Sequence, residues 1–420
     1  DGRRRGGDDP PRRRTSSHPG MTGRDDARAA APRTPPLGLG LIGLGNVGIG
    51  FHLPALLALP ELVTIAAVAD PSPDRRAEAL ARAGLPPAAG CVSAEELLER
   101  DDLDAVDLAT PPHVRTPLAL RAIERGLAVL CEKPVATVPA DAAAVVDAAA
   151  RAGIPVGVVH NYLEFPEIRV AIEAIRSGAI GRPEVAILNY LGVEDRPGNA
   201  AWRPNWRHDP GVAGGGVLMD MLHVVYVAEA LLDAPVRRVS AQLLARTAPA
   251  PVEEIALCRF DAEAATALVN VGWGVGPGGI SVSGRDGRID IAYEGGGTSP
   301  FAPLASVRLV PADGTAVELT PPLPATPGLD VRLVATFRRF FEAVVEGRPP
   351  AVTAADGLRV LELTLAAYAS AAIGCGVDVP LGSDHPVHRR GLAGIADLSI
   401  APAGAVARHG LFGIGVGGGG

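Results

Sequence analysis

The run Leu37–Ile42 is short, apolar and unbroken, and it ends directly on Gly43-Leu-Gly45-Asn46-Val47-Gly48, a G-x-G-x-x-G followed by helix-compatible sequence. Strand, glycine turn and helix in this order need glycine at three points. One allows a tight turn, one lets backbone approach a diphosphate closely, and one lets the helix pack close on the strand. The anion then sits at a helix N-terminus, where N–H groups and the dipole favour negative charge. A second match, Gly38-x-Gly40-x-x-Gly43, has no strand before it. The next strand, Val63–Ala69, runs into Asp70, 22 residues past Gly48. An acid near that spacing accepts from the adenosine ribose 2′-hydroxyl and repels a 2′-phosphate, which favours NAD over NADP. Arg75 and Arg76 follow and leave NADP open, and a plain turn role for Asp70 before Pro71 is the alternative.

Helical and strand-like runs then alternate. Ser93–Arg100, Pro117–Arg125 and Ala140–Ala152 read as helices, with strands at Ala105–Ala109, Ala128–Cys131 and Pro155–Val159. Alternation at this size predicts a doubly wound α/β parallel sheet, a Rossmann domain over 37–157, whose ligands bind beyond the strand C-termini. Thr110-Pro111-Pro112-His113, Glu132-Lys133-Pro134 and His160-Asn161 all fall at that edge. Farther on, 166–178 and a run near 216–232 read as helices. Strand-like runs follow at 236–246, 254–261, 264–273, 279–284, 287–293, 305–311 and 315–319, before helices at 329–346 and 354–373. These belong to a second α/β domain over 158–382.

Composition narrows the partners. The length of 420 residues fits two or three domains of about 100–200 residues each. A net charge of −8 with no compact basic run in the apolar-periodic body argues against nucleic acid, and no apolar stretch is long enough for a membrane span. Cys91, Cys131, Cys258 and Cys375 are scattered without metal-ligand spacing, so neither a metal site nor a disulfide framework is expected, and a reducing, cytoplasmic setting is. Residues 1–36 are rich in Arg, Pro, Asp and Gly and read as a disordered extension, with Met21 a candidate start. The stretch 383–420 reads as a flexible tail in which Leu411–Val416 has enough apolar character to dock.

Leu39–Gly48, Ala109-Thr-Pro-Pro-His113, Val129-Leu-Cys-Glu-Lys-Pro-Val135, and Trp206-Arg-His-Asp-Pro210 through Gly214-Gly-Gly-Val-Leu-Met-Asp220 together resemble the glucose–fructose oxidoreductase / inositol dehydrogenase family, Gfo/Idh/MocA. The likeness covers roughly 37–382 in the same order. It implies an N-terminal Rossmann domain, a C-terminal α/β domain with a large, mostly antiparallel open sheet, and homodimers or homotetramers through that sheet's open face. It also implies NAD(P)-dependent hydride transfer between nicotinamide and a secondary alcohol or ketone of a sugar, cyclitol or related polyol.

The resemblance puts Lys133 beside the nicotinamide and the substrate hydroxyl. A lysine partly removed from water beside other cations has a lowered pKa suited to proton transfer. Glu132 then contacts the cofactor or serves the backbone. Gly43, Gly45, Asn46, Val47, Gly48, Asp70, Thr110, Pro111, His113 and Asn161 are the remaining cofactor candidates, with Tyr162, Trp206, Arg207, Asp220 and His223 for substrate. Trp202 and Arg203 belong to the same loop as Trp206. Aromatic faces there suit sugar C–H faces, and arginines suit hydroxyls or anions. Asp220 and His223 are three apart, which on one helix puts them on one face. The family more often spaces them by four, a difference of about 100° and 1.5 Å along a helix. That leaves open whether His223 shares the proton work with Lys133 or only binds a hydroxyl. Cys131 reads as a buried strand cysteine rather than a nucleophile. The competing functions are a same-fold enzyme with tightly bound NAD doing redox-neutral glycoside or sugar chemistry, and a non-catalytic dinucleotide or sugar sensor.

Overall fold

The computed structural model describes residues 31–194, 206–246, 250–274, 276–298, 302–322 and 329–398. Trp202 and Arg203, Met21 and Leu411–Val416 lie outside them. Among the described residues the first sheet has six parallel strands: β1 (Leu37–Ile42), β2 (Val63–Ala69), β3 (Gly90–Cys91), β4 (Ala105–Leu108), β5 (Ala128–Cys131) and β6 (Val156–Val158). Their order, β3-β2-β1-β4-β5-β6, reverses between β1 and β4, the switch point where dinucleotide folds open a crevice. Five helices connect them: α1 (Gly48–Leu57), α2 (Pro73–Ala83), α3 (Ala94–Leu98), α4 (Arg115–Glu124) and α5 (Pro139–Ala152). Ser72 and Ser93 cap α2 and α3 by accepting from Arg75 N and Glu96 N. The first turn of α1, Gly48–His52, is a π-turn, a wider ring that recurs at functional sites.

β1 is apolar throughout because it is covered on both faces: Leu37, Leu39 and Leu41 have no exposed surface. The glycines between them are packing positions. A Cβ on Gly38 would lie 2.2 Å from Asp102 O, and one on Gly40 2.5 Å from Leu97 Cδ2. That accounts for the second, overlapping glycine match.

The second half runs α6 (Pro166–Arg176), β7 (Pro183–Val193), α7 (Pro210–Ala213), α8 (Val217–Asp220), α9 (His223–Leu232), β8 (Arg238–Leu244), β9 (Ile255–Asp261), β10 (Thr266–Trp273), β11 (Gly278–Gly284), β12 (Gly287–Tyr293), β13 (Leu304–Pro311) and β14 (Val317–Glu318). It closes with α10 (Val331–Glu346), α11 (Ala354–Ile373), β15 (Val377–Asp378) and α12 (Pro386–Arg390). Its strands form a nine-stranded sheet, β14-β13-β12-β11-β7-β10-β9-β8-β15, antiparallel except where β7 pairs with β10. Helices cover one face. On the other, Val185 and Ile187 of β7 and Leu268 of β10 are exposed, and Leu268 is the registered neighbour of Ile187.

One strand went unread, and three expectations are corrected. β7, the central strand, went unread because Val185, Ile187 and Leu191 on one face and Ala186, Leu188 and Tyr190 on the other are apolar or aromatic, which removes the period-two signal. The run at 216–232 is two helices bent by 43° at Met221–Leu222, so Asp220 and His223 do not share one helix face. The stretch from 383 is not uniformly free: α12 and a 3-10 turn over Gly391–Asp397 pack on α5 and α11 around the buried Val387. One buried valine is too little periodicity to read. Finally, residues 31–36 are tied down. Arg33 donates to the Gly126 carbonyl at 2.7 Å and to the Asp104 carbonyl, and its own N–H bonds Val345 O. In addition, α10 does not stay with the second sheet. Phe337, Phe340, Phe341 and Val344 join the core beneath β1 and α1. No helix among the described residues is long and apolar enough by itself to cross a membrane, and none of their His, Cys, Asp or Glu side chains gather in threes for a metal.

The glycine turn gives a test of these packing limits. A Cβ on Gly48 would sit 2.0 Å from the Gly43 carbonyl oxygen, whereas one on Gly45 meets nothing within 4 Å. Gly48→Ala should lower unfolding stability by about 2–3 kcal/mol while Gly45→Ala stays within about 0.5 kcal/mol, as measured by urea denaturation.

Candidate active site

Where the two sheets meet, a cleft of about 350 Å³ opens at the C-terminal edge of the first sheet. Its walls bring together Gly43, Gly45, Asn46, Val47, Asp70, Thr110, Pro111, Glu132, Lys133, Asn161, Tyr162, Trp206, Arg207, Asp220 and His223. Two of the sequence candidates stand apart. Gly48 packs behind the turn against Gly43, and His113, in the 3-10 turn Pro112–Val114, is exposed and does not line the cleft.

Asp70 is held rather than loose. Its carboxylate accepts from Leu44 N and Ser72 N, both at 2.9 Å, so the acid ties the end of β2 to the glycine turn while facing the cleft. Arg75 stands 3.9 Å from it. The cleft also presents unsatisfied polar atoms: Thr110 Oγ1 and Asn161 Oδ1 are buried without a hydrogen-bond partner among the described residues. Buried polar atoms are rarely left so, and at a cavity wall they suit a polar ligand. The glycine turn, the acid at the end of β2 and these two atoms together fit a dinucleotide.

Lys133 lies two residues past the end of β5, at a cis bond before Pro134. Its Nζ donates to the backbone carbonyl of Asp220 at 2.5 Å, across from the second half of the chain. Burial lowers its pKa, with Arg207 and Arg115 adding to that, while Asp220 and Glu132 pull the other way. Asp220 therefore steadies the amine through its main chain. Its carboxylate turns to Arg207, whose Nε lies 3.1 Å away. The Arg207 guanidinium also lies over the Trp206 ring, 4.5 Å from its centre. His223 Nδ1 pairs with Tyr226 Oη at 2.6 Å, and its ring stacks on Tyr162 at 4.1 Å. Phe165 continues that stack, with Arg332 of α10 over it at 4.4 Å.

Three supporting groups escaped the sequence analysis. Arg115 is buried and donates to the carbonyls of Pro134 (2.5 Å) and Thr110, clamping both strand-end loops. Glu253, beside β9, accepts from Gly216 N (3.0 Å), Leu218 N (2.9 Å) and Tyr368 Oη (2.7 Å), and so fixes the turn that carries Asp220. His52 of α1 lies between Asp107 and Glu132. None has a local sequence signature, since each partner comes from a distant part of the chain. For Lys133 a signal did exist. It is the only lysine in the chain, every other cation among the 39 Lys and Arg being arginine. An amine, unlike a guanidinium, can readily lose its proton when its pKa is lowered, so a single lysine at a strand end in a chain otherwise furnished with arginine stands out. Cys131 is buried, and burial pushes its thiol up to about 12, far from a nucleophile.

Two family models match the chain: an oxidoreductase family with an NAD-binding Rossmann fold over residues 37–160, and the GFO/IDH/MocA C-terminal domain over 168–294. Levoglucosan dehydrogenase of Pseudarthrobacter phenanthrenivorans is 32% identical over 206 residues, 47% of this chain, and the match spans about half, 51%, of that relative's length. The 1,5-anhydro-D-fructose reductase of Ensifer adhaerens is 29% identical over 69% of this chain and 84% of its own. Among solved structures, levoglucosan dehydrogenase in complex with NADH superposes with a TM-score of 0.73 at 25% identity, covering 82% of this chain and all of that one. The aldose-aldose oxidoreductase of Caulobacter crescentus gives 0.70 at 25% identity, covering 82% and 99%.

Burial pushes the Glu253 carboxyl up to about 7 against the three hydrogen bonds that favour its charge. A carboxyl whose folded pKa is raised holds more protons in the native state than in the unfolded one, so stability falls as pH rises from about 4.5 through 7. Glu253→Gln should flatten that fall in denaturation midpoints measured across the same range.

Proposed function

The chain belongs to the GFO/IDH/MocA oxidoreductase family, and from that premise we propose that it moves hydride between a nicotinamide dinucleotide and a secondary carbinol or ketone of a sugar, cyclitol or related polyhydroxy compound. One observation carries this: the single lysine of the chain is half-buried in the same cleft as the glycine turn, with its proton affinity lowered by burial. When bound, the dinucleotide supplies the carbon that takes or gives the hydride.

The protein's own groups do the rest. The turn Gly43–Gly48 and the end of β4 at Thr110 and Pro111 hold the dinucleotide, with Asn161 reaching it from the far side. Asp70, a charged acceptor in the cleft, favours NAD over its 2′-phosphorylated form, and Arg75 is the group through which the latter is tolerated. As the carbinol is oxidised, Lys133 Nζ takes the hydroxyl proton; in reduction it returns a proton to the carbonyl oxygen. Asp220 and Arg207 bind neighbouring hydroxyls. His223, held upright by Tyr226 and Tyr162, binds a further hydroxyl rather than replacing the lysine. Tyr162 and Trp206 offer aromatic faces to the ring's C–H edges. The residues up to 157 thus mainly serve the cofactor and those from 158 to 382 mainly the substrate, with Lys133 and Asn161 each reaching across and α10 bracing one half against the other.

We also propose that the exposed Val185, Ile187 and Leu268 face is covered in a homodimer or homotetramer, which removes adjacent apolar side chains from water. Three buried free thiols support a reducing, cytoplasmic setting.

Titration calorimetry with NAD and NADP, followed by turnover on a panel of sugars and cyclitols at 340 nm, tests the reaction. NAD should bind more tightly than NADP. Lys133→Ala and Lys133→Arg should keep NAD affinity within about threefold while turnover falls by about 10²–10⁴-fold. Near-normal turnover in either variant defeats the assignment of Lys133.

A further inference from the structure

Two carboxylates of the first sheet close on the two ring nitrogens of one buried histidine. His52 Nδ1 meets Asp107 Oδ2 at 2.8 Å, and His52 Nε2 meets Glu132 Oε1 at 3.2 Å. An ionised carboxylate only accepts, so a ring held between two of them donates from both nitrogens and is an imidazolium. The His52 and Asp107 side chains have no exposed surface, and Glu132 keeps 13% of its own. The other Glu132 oxygen, Oε2, accepts from the backbone N–H of Lys133 at 2.9 Å. Four groups from three elements, Asp107 on β4, His52 on α1, and Glu132 and Lys133 past the end of β5, thus form one chain of hydrogen bonds. Both Glu132 oxygens are committed to it.

We propose that His52 is a positioning residue of the site, a buried cation that keeps Glu132 ionised and turned toward Lys133 and thereby sets the proton affinity of the amine. The assignment deepens the reaction proposed above and rests on it. The groups that face His52 are Asp107 from β4 and Glu132 from β5; α10 offers only the Phe337 ring, edge-on at 4.9 Å. Lys133 and Arg115 face Glu132 in turn. Burial by itself would strip the ring of its charge. The charge and hydrogen bond of Asp107, then those of Glu132, outweigh it and lift His52 to about 10. His160, buried against the Tyr226 ring instead, is pushed down to about 3. Both feel the charge of Glu132; the difference is that Asp107 and Glu132 bond the two ring nitrogens of His52.

A neutral amide at position 52 would leave two anions and no cation. Glu132 keeps the Lys133 backbone N–H, and the charges of Lys133 and Arg115 still favour its ionised form. Glu132 then stays ionised without its counter-cation, and Lys133 binds its proton more tightly. Glu132→Gln removes the anion and acts the other way.

Because Lys133 is the only lysine, its amine can be titrated alone. Acetylation with acetic anhydride across a pH series, read by mass spectrometry on the peptide that contains it, needs neither substrate nor turnover. Relative to the unmodified protein, the midpoint should rise by about one unit in His52→Gln and fall by about one unit in Glu132→Gln. A pocket that is merely loosened moves both midpoints upward, toward that of a solvated lysine. Nitrogen-15 NMR of the imidazole in the unsubstituted protein, which does not depend on how the variants fold, should show both His52 nitrogens protonated at pH 8. A singly protonated ring at pH 8, midpoints within about 0.3 unit of the parent, or midpoints that move the same way overturn the proposal. Should the hydride-transfer reading fail instead, the loss shows in the substrate panel while both titrations stand.

Discussion

One amine is taken partly out of water where two sheets meet, and much of the surrounding structure exists to make that tolerable. A desolvated ammonium is unstable unless it is paired or allowed to lose its proton. The Lys133 amine donates to the main-chain carbonyl of Asp220, while Glu132, which accepts from the Lys133 backbone N–H, acts on the amine through its charge. Neither side commits a full ion pair at contact distance. The amine is therefore steadied in direction while its charge remains easily removed, the condition for giving and taking protons near neutrality.

The groups that hold this balance come from opposite ends of the chain. Arg115 grips the loops after β4 and β5, so the strand-end carbonyls of the first sheet are fixed by a cation buried beneath them. Glu253, from the second sheet, caps the turn that presents Asp220. Then α10 crosses back to pack its phenylalanines under β1 and α1, and its Phe337 forms one wall around His52. Cleft geometry thus depends on contacts between halves that are far apart in sequence. Breaking one partner of such a buried polar set costs more than the pair itself contributes, since the partner left behind keeps its desolvation penalty.

The same economy separates ligand-facing glycines from packing glycines. Gly45 has open space around it, whereas Gly38, Gly40 and Gly48 each press on a neighbour. All four sit in overlapping glycine patterns, and only the packing distinguishes their roles. Likewise, Asp70 serves both backbone and cleft, so the turn reading and the ligand reading of that residue are compatible.

By itself the sequence determined the strand–turn–helix beginning, the alternation that makes a parallel sheet and the strand-like runs from β8 to β13, because local periodicity and turn chemistry specify those elements, while its motifs in order carried the resemblance to the family. It also held the solitary lysine at position 133, to which the proposed reaction assigns the proton transfer. Only tertiary structure decided the central place of β7, the bend between α8 and α9, the return of α10 and the anchoring of Arg33. Those depend on which faces are covered by distant elements, and a strand apolar on both faces carries no period to read. The proton affinity of buried groups depends on tertiary structure too. His52 and His160 are both buried, yet burial pushes the second down while Asp107 and Glu132, set against the ring nitrogens of the first, push it up.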